Sequence, residues 1–234
     1  MMGKLLSIAG AVALLAWGLA GGSAAAEKAV KLPAPVLDST AAMSAATETA
    51  VFAGGCFWGV QAVFQHTQGV LNAVSGYAGG QKETATYASI GTGRTGHAES
   101  VQITYDPKLI SYGKLLQIYF SVAHDPTQLN HQGPDSGTQY RSAVFYQDKS
   151  QQQVAESYIA QLDGANVFAS KIVTQLTPLT AFYPAEAYHQ DYATLNPRSA
   201  YIVRFDLPKI DNLKTMLPDL YRDKPVLVSS QARR

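Results

Sequence analysis

The chain holds a single cysteine, Cys56, in 234 residues. No internal disulfide can staple the fold, so burial of apolar surface has to hold it together. The composition allows this: 47% of residues are hydrophobic and 15% are charged, the balance of a globular domain rather than a disordered chain. The cysteine lies in Gly54-Gly55-Cys56-Phe57-Trp58-Gly59-Val60. A short strand pattern, 48–53, runs into the two glycines. Phe57, Val60 and Phe64 then recur at helical spacing. The local fold is therefore strand, glycine turn, helix, with Cys56 in the first helical turn.

Further reading gives the thiol its context. Lys4, an apolar stretch from Leu5 to Ala20 and the small residues Ala24-Ala25-Ala26 read as a cleavable signal peptide over 1–26. The expected location is outside the cytoplasm, the periplasm of a cell with an outer membrane, with cleavage near Ala26. An uncleaved anchor is the alternative. Removing this segment takes away Lys4 and no acid. The net charge then falls from +1 to 0, and no basic block precedes Arg233-Arg234. That excludes the electrostatic footprint of nucleic-acid binding. An exported protein normally pairs its cysteines. A lone thiol there is an intermolecular link, a reactive group or an inert buried side chain. Unpaired amides and the positive dipole end at a helix start favour a thiolate. The glycines leave room beside the sulfur.

The rest of the chain alternates irregularly between strands and helices. Residues 27–47, rich in Ala, Pro, Ser and Thr, read as a flexible linker. Strands are expected at 70–75, 98–105, 142–146 and 167–176, with Glu99, Val101, Ile103 and Tyr105 sharing one face. Helices are expected from Phe57 to near Gly69 and at 112–123, 151–162 and 184–195. A long polar loop spans 124–140, and 211–234 shows no clear motif. The fold class is α+β, a two-layer sandwich with helices packed on a sheet and long functional loops. A catalytic domain over 48–210 and a C-terminal extension over 211–234 follow.

Gly55-Cys56-Phe57-Trp58-Gly59 resembles the signature of the peptide methionine sulfoxide reductase A family. Further matching stretches are Gly76–Gly80, Gly93–Glu99 (GRTGHAE), Tyr105–Leu116, His124–Tyr146 and Ala185–Pro197, in the family's order over about 49–208. The resemblance implies a mixed, mainly antiparallel sheet with a ferredoxin-like core. It implies an enzyme that reduces the S epimer of methionine sulfoxide in proteins, peptides or free form, without cofactor or metal, as a monomer. Cys56 matches the nucleophile and becomes a sulfenic acid. Glu99 matches the acid that protonates the sulfoxide oxygen, and a buried glutamate suits that role. Tyr77 and Tyr140 match two hydroxyls on that oxygen. Phe57 and Trp58 match the pocket for the methyl group, and Asp135 a loop carboxylate that places substrate or water. Adjacent helical residues point about 100° apart, so one aromatic can face the core and the other the sulfur. Cys56 and Glu99 are expected to titrate as one unit.

Two departures from the family pattern stand out. The segment RSAYIVRFDLPKI after Pro197 has no cysteine, so a thioredoxin-like protein or other external thiol has to reduce the sulfenic acid. The loop ETATYASIGT before GRTGHAE also differs. Rival readings stay open on the residues alone. A cysteine hydrolase needs a histidine at Cys56, and His97 is placed to reach it. His124 and His131 lack the usual metal-ligand spacing. An exported binding module would explain the 13 tyrosines but not a cysteine at a helix start.

Overall fold

The structure, a computed structural model, describes residues 27–39 and 47–231. The expected signal peptide and residues 40–46 of the expected linker lie outside the described residues. In chain order the first elements are β1 (Glu48–Gly54), α1 (Phe57–Gln65), β2 (Val70–Ala78), α2 (Tyr87–Ile90), β3 (Ala98–Tyr105) and α3 (Tyr112–Ile118). There follow β4 (His131–Gln132), β5 (Asp135–Ser136), β6 (Ser142–Tyr146), α4 (Lys149–Gly164), β7 (Gln175–Pro178) and β8 (Phe182–Pro184). α5 (Tyr192–Leu195), α6 (Leu207–Met216) and α7 (Val228–Gln231) complete the chain.

β1 is the buried axis of a six-stranded sheet of order β7-β6-β1-β3-β2-β8. It pairs antiparallel with β3 and β6; β2 pairs antiparallel with β3 and β8; β6 and β7 run parallel. Side chains alternate across the strand. Ala50 and Phe52 join Val101 and Ile103 in the core under the helices, while Val51 and Ala53 join a smaller cluster on the opposite face. α1 and α3 both pack on the first face, giving a β-α-β-β-α-β core of order β6-β1-β3-β2. This is the expected two-layer sandwich, ferredoxin-like and mainly antiparallel. Phe52 stacks on Tyr119 at 4.9 Å, which docks the π-helical turn Tyr119–Ala123 after α3 against the sheet.

The element boundaries differ where local pattern was weak. The strand expected over 167–176 begins only at Gln175. The helix expected over 184–195 divides into β8, a 3-10 turn at Ala187–His189 and the one-turn α5. The helix at 151–162 starts earlier, because the Asp148 side chain accepts from Gln151 N–H at 2.8 Å and caps it.

The two ends of the chain are corrected more strongly. Residues 27–39 form an extended strap rather than a free linker. Leu32 is buried in the main core. Val30 N–H donates to Ser121 O at 2.9 Å, Gln117 Nε2 to Leu32 O at 2.8 Å and Tyr158 Oη to Pro33 O at 2.7 Å. Asp38 accepts from Ser111 Oγ and Gly113 N–H. A Pro- and Ala-rich strap has no periodicity of its own; side chains from distant helices satisfy its backbone. At the other end, a boundary at 210 falls inside α6, whose Leu213 is fully buried in the same core. Among the described residues, no helix is long and apolar enough to cross a membrane.

Leu32→Ala tests the strap. A linker residue would be silent; the packed one costs about 2–4 kcal/mol, measured as a lowered urea midpoint.

Candidate active site

The strand-to-helix turn is built around Gly55, whose φ is +87°. A Cβ there would approach Gln132 Cβ to 2.5 Å, so both backbone and space require glycine. The turn delivers Cys56 to the N-cap position of α1, half-buried, with Phe57 as the first helical residue. The Trp58 backbone N–H favours the charged form of the sulfur.

Glu99 reaches the same spot from β3 and is 3% exposed. Its Oε2 accepts from Phe57 N–H at 3.1 Å. Burial pushes the carboxyl from 4.5 to about 8, outweighing the Phe57 bond, which lowers it, and aided by the charge of Asp135. Glu99 is therefore mainly a neutral acid at pH 7, as the sequence predicted. The thiol departs from expectation. Burial raises Cys56 well above its ordinary value, the carboxylates of Glu99, Asp206 and Asp135 raise it further, and the Trp58 N–H only partly opposes them. The helix start supplies its amides, but burial among acids wins. The resting pair is a thiol beside a carboxylic acid, and the two titrate as a unit.

A cavity of roughly 190 Å³ opens over them, lined by Cys56, Phe57, Trp58, Tyr87, Glu99, Asp135, Tyr140 and Tyr201. Phe57 is buried and Trp58 half-buried, the division their 100° offset allows. Trp58 stacks on Tyr192 at 3.8 Å, and its Nε1–H donates to His189 Nδ1 at 3.2 Å. His189 thus carries its proton on Nε2. Tyr201 Oη donates to Asp135 Oδ2 and fixes that carboxylate at the rim. Tyr140 closes the 3-10 turn Thr138–Tyr140. The next residue, Arg141, donates to Gly96, His97 and Thr138 carbonyls, tying this turn to the loop that leads to Glu99. Burial, then Glu99, raises both the Tyr87 and Tyr140 phenols, so both are hydroxyl donors at neutral pH.

Of the predicted residues, Cys56, Glu99, Tyr140, Phe57, Trp58 and Asp135 come together. Tyr77 does not line the cavity. It pairs with Glu99 across β2 and β3, but its ring packs behind Phe57 at 5.9 Å and its Oη donates to Glu186 Oε2 at 2.8 Å. The second hydroxyl at the cavity belongs to Tyr87, from the loop that departs from the family pattern. Glu186 Oε1 accepts from Tyr87 N–H at 2.9 Å, so one carboxylate holds both tyrosines. A tyrosine just after Thr86, a good N-cap residue, was the available signal. Tyr201, Asp206 and Lys209 also come from a segment far along the chain, with no sequence pattern that ties them to Cys56.

The rival bases are elsewhere. His97 Nδ1 accepts from Gly80 N–H at 3.2 Å and its Nε2 contacts Gln81 O at 2.9 Å. It supports the loop and leaves a cysteine hydrolase without a base at Cys56. His124 is buried between Tyr119 O and Ser142 Oγ, and His131 is exposed on β4. A thiol facing a neutral acid, with phenol donors and an aromatic wall, cannot work as a thiolate–imidazolium pair. It suits attack on a neutral electrophile whose leaving oxygen must be protonated. The fold and site define a thiol-dependent oxidoreductase.

Comparison with known proteins places it further. The family described as "Peptide methionine sulfoxide reductase" matches residues 48–218. A peptide methionine sulfoxide reductase MsrA 2 of Mesorhizobium japonicum is 64% identical over 184 residues, 79% of this chain and 94% of that one. Its namesake in Synechocystis is 49% identical over 190 residues, covering 80% and 89%. Among solved structures, reduced Mxr1 of Saccharomyces cerevisiae matches with a TM-score of 0.59 at 32% identity, covering 67% of this chain and 89% of that one. Methionine sulfoxide reductase A of Corynebacterium diphtheriae matches at 0.57 and 35% identity, covering 73% and 89%. The chain belongs to the peptide methionine sulfoxide reductase family. Its activity is that of a peptide-methionine (S)-S-oxide reductase.

Two measurements separate the tyrosines. Tyr87→Phe lowers kcat about 10-fold or more, whereas Tyr77→Phe stays within about 3-fold of wild type and costs stability instead; steady-state kinetics and a denaturation curve on each decide. Glu99 gives a pH prediction. Its folded value, about 8, lies above the ordinary 4.5. As pH rises through that window the unfolded chain releases this proton and the fold keeps it, so its contribution to stability is lost. In Glu99→Gln the denaturation midpoint falls less steeply between about pH 5 and 8.

Proposed function

We propose that Cys56 is the nucleophile that takes the sulfoxide oxygen, with Glu99 as the proton donor. The supporting observation is Glu99 itself: buried, neutral at pH 7 and fixed by Phe57 N–H one residue from Cys56. In the first half-reaction a Cys56 thiol and a methyl sulfoxide give a Cys56 sulfenic acid and a thioether. The cysteine sulfur is oxidised, the substrate sulfur is reduced, and the thiol proton ends on the transferred oxygen. Glu99 lends its proton to that oxygen as negative charge develops there and recovers it from the thiol side. Tyr87 and Tyr140 donate hydrogen bonds to the same oxygen. Phe57 and Trp58 receive the methyl group, and Asp135, held by Tyr201, orients the polar side of the substrate.

In the second half-reaction two equivalents of an external thiol reduce the sulfenic acid, releasing water and a disulfide. The absence of any other cysteine in the chain supports this. A thioredoxin-like protein suits the role. Outside the cytoplasm it has to be delivered there, and the signal-like pattern over 1–26 supports that location. The protein acts as a monomer.

Without added thiol, the wild type converts one equivalent of S-epimer peptide per chain and stops, with one oxygen gained at Cys56 by mass spectrometry. Continued turnover would sink the external-thiol step. Glu99→Gln loses about 100-fold or more in that first turnover near pH 7. Because the acid is present below its value of about 8, wild-type first-turnover rates decline as pH rises through that value.

A further inference from the structure

Three buried charged side chains sit under the first turn of α1. Lys209 of α6 is 5% exposed, and its Nζ lies 3.5 Å from Glu27 Oε2, a residue of the strap. Asp206, at the start of α6, has no exposed surface, and neither of its oxygens has a hydrogen-bond partner. Asp206 Oδ1 and Lys209 Cδ press on Gly59, three residues after Cys56: a Cβ there would overlap the oxygen and lie 3.3 Å from Lys209 Cδ. On the other side, Glu27 Oε1 lies 3.1 Å from where a Cβ of Gly133 would stand. Gly133 adjoins Gln132, which packs on Gly55. The group therefore bridges the strap, the β4–β5 loop and α6 at the base of the nucleophile.

Unlike this lysine, the ionisable groups that face Cys56 from the packed elements become negative or stay neutral. Glu99 comes from β3, Asp135 from β5, Asp206 and Tyr201 from the chain leading into α6, and Tyr87 and Tyr140 from the loops. Lys209 is the cation that answers them. Burial acts to lower its value, but Glu27, Asp206 and Cys56 outweigh it and keep the ammonium charged. A buried cation without such partners would lose its proton.

We propose that Lys209 is a positioning residue whose ammonium, fixed by Glu27 of the strap, offsets the carboxylates around Cys56 and keeps its thiol ionisable. The inference rests on Cys56 being the attacking thiol. It does not depend on methionine sulfoxide being the substrate, and it can be read without one.

The test is the rate of Cys56 alkylation by iodoacetamide across pH, in the full 234-residue chain, followed by mass at this single cysteine. Lys209→Met slows alkylation about 10-fold at neutral pH and moves the profile up by about one pH unit or more, while Lys209→Arg restores most of the rate. Asp206→Asn moves the profile the opposite way, to lower pH, because it removes one of the carboxylates that hold Cys56 up and leaves the Lys209–Glu27 pair. A structural role alone would move neither profile in opposite senses. Unchanged profiles, or shifts of both variants in the same direction, overturn the proposal. Should Lys209→Met not fold, Lys209→Gln, which keeps a polar group beside Glu27, decides alone: an upward shift supports the proposal, and no shift or a downward one overturns it. Failure of sulfoxide reduction with these profiles as expected would instead count against the substrate assignment.

Discussion

The hydrogen bond from Phe57 N–H to Glu99 Oε2 joins the start of α1 to β3, the two elements that carry the thiol and the acid. One end is the first free amide of α1, which the glycine turn has placed; the other is a side chain of β3. Neither β1 nor β3 can slide by one residue without breaking it and turning Glu99 away from the helices. The distance between thiol and acid is thus set by the register of a buried sheet, not by the loops. The loops then add the hydroxyls and the rim carboxylate to a pair that is already fixed.

Electrostatically, the site is governed by dehydration more than by the helix dipole. The amide at a helix start favours a negative charge, yet both groups it touches are displaced towards their neutral forms by burial. For Glu99 this is what the chemistry needs, since only a protonated carboxyl can give a proton to the departing oxygen. For Cys56 it is a cost, which the Trp58 amide lessens and which the role proposed for Lys209 lessens further. In the proposed reaction a polarised sulfoxide in the cavity changes that balance, because the Glu99 proton moves towards oxygen as the thiol proton is released.

Much of this was legible in the sequence. The order strand, glycine pair, helix follows from residues 48–64 alone, and the shared face of Glu99, Val101, Ile103 and Tyr105 follows from alternation. Glu99 was expected through its motif, and the structure adds that it is buried beside Cys56. Tyr77 illustrates the limit. It is next to Glu99 in the sheet, but strand pairing does not say where a phenol ends, and Glu186 from far along the chain takes its hydroxyl. The strap was unreadable for a related reason: its Pro-rich segment makes no local bonds, and its partners are Gln117, Tyr158 and Ser121. Lys209 likewise looks like any surface lysine on a helix until Glu27 is seen beside it.

The strap has a consequence for how the molecule becomes competent. Glu27 begins the described chain, and Lys209 lies near its other end, so their contact is among the most non-local in the fold. Loop closure of that span comes late, after the sheet and α1 have formed. A chain still emerging from synthesis can form the turn around Cys56 without the ion pair beneath it. The strap and α6 act as a clasp beneath α1, and the surroundings of Cys56 are complete only when it has shut.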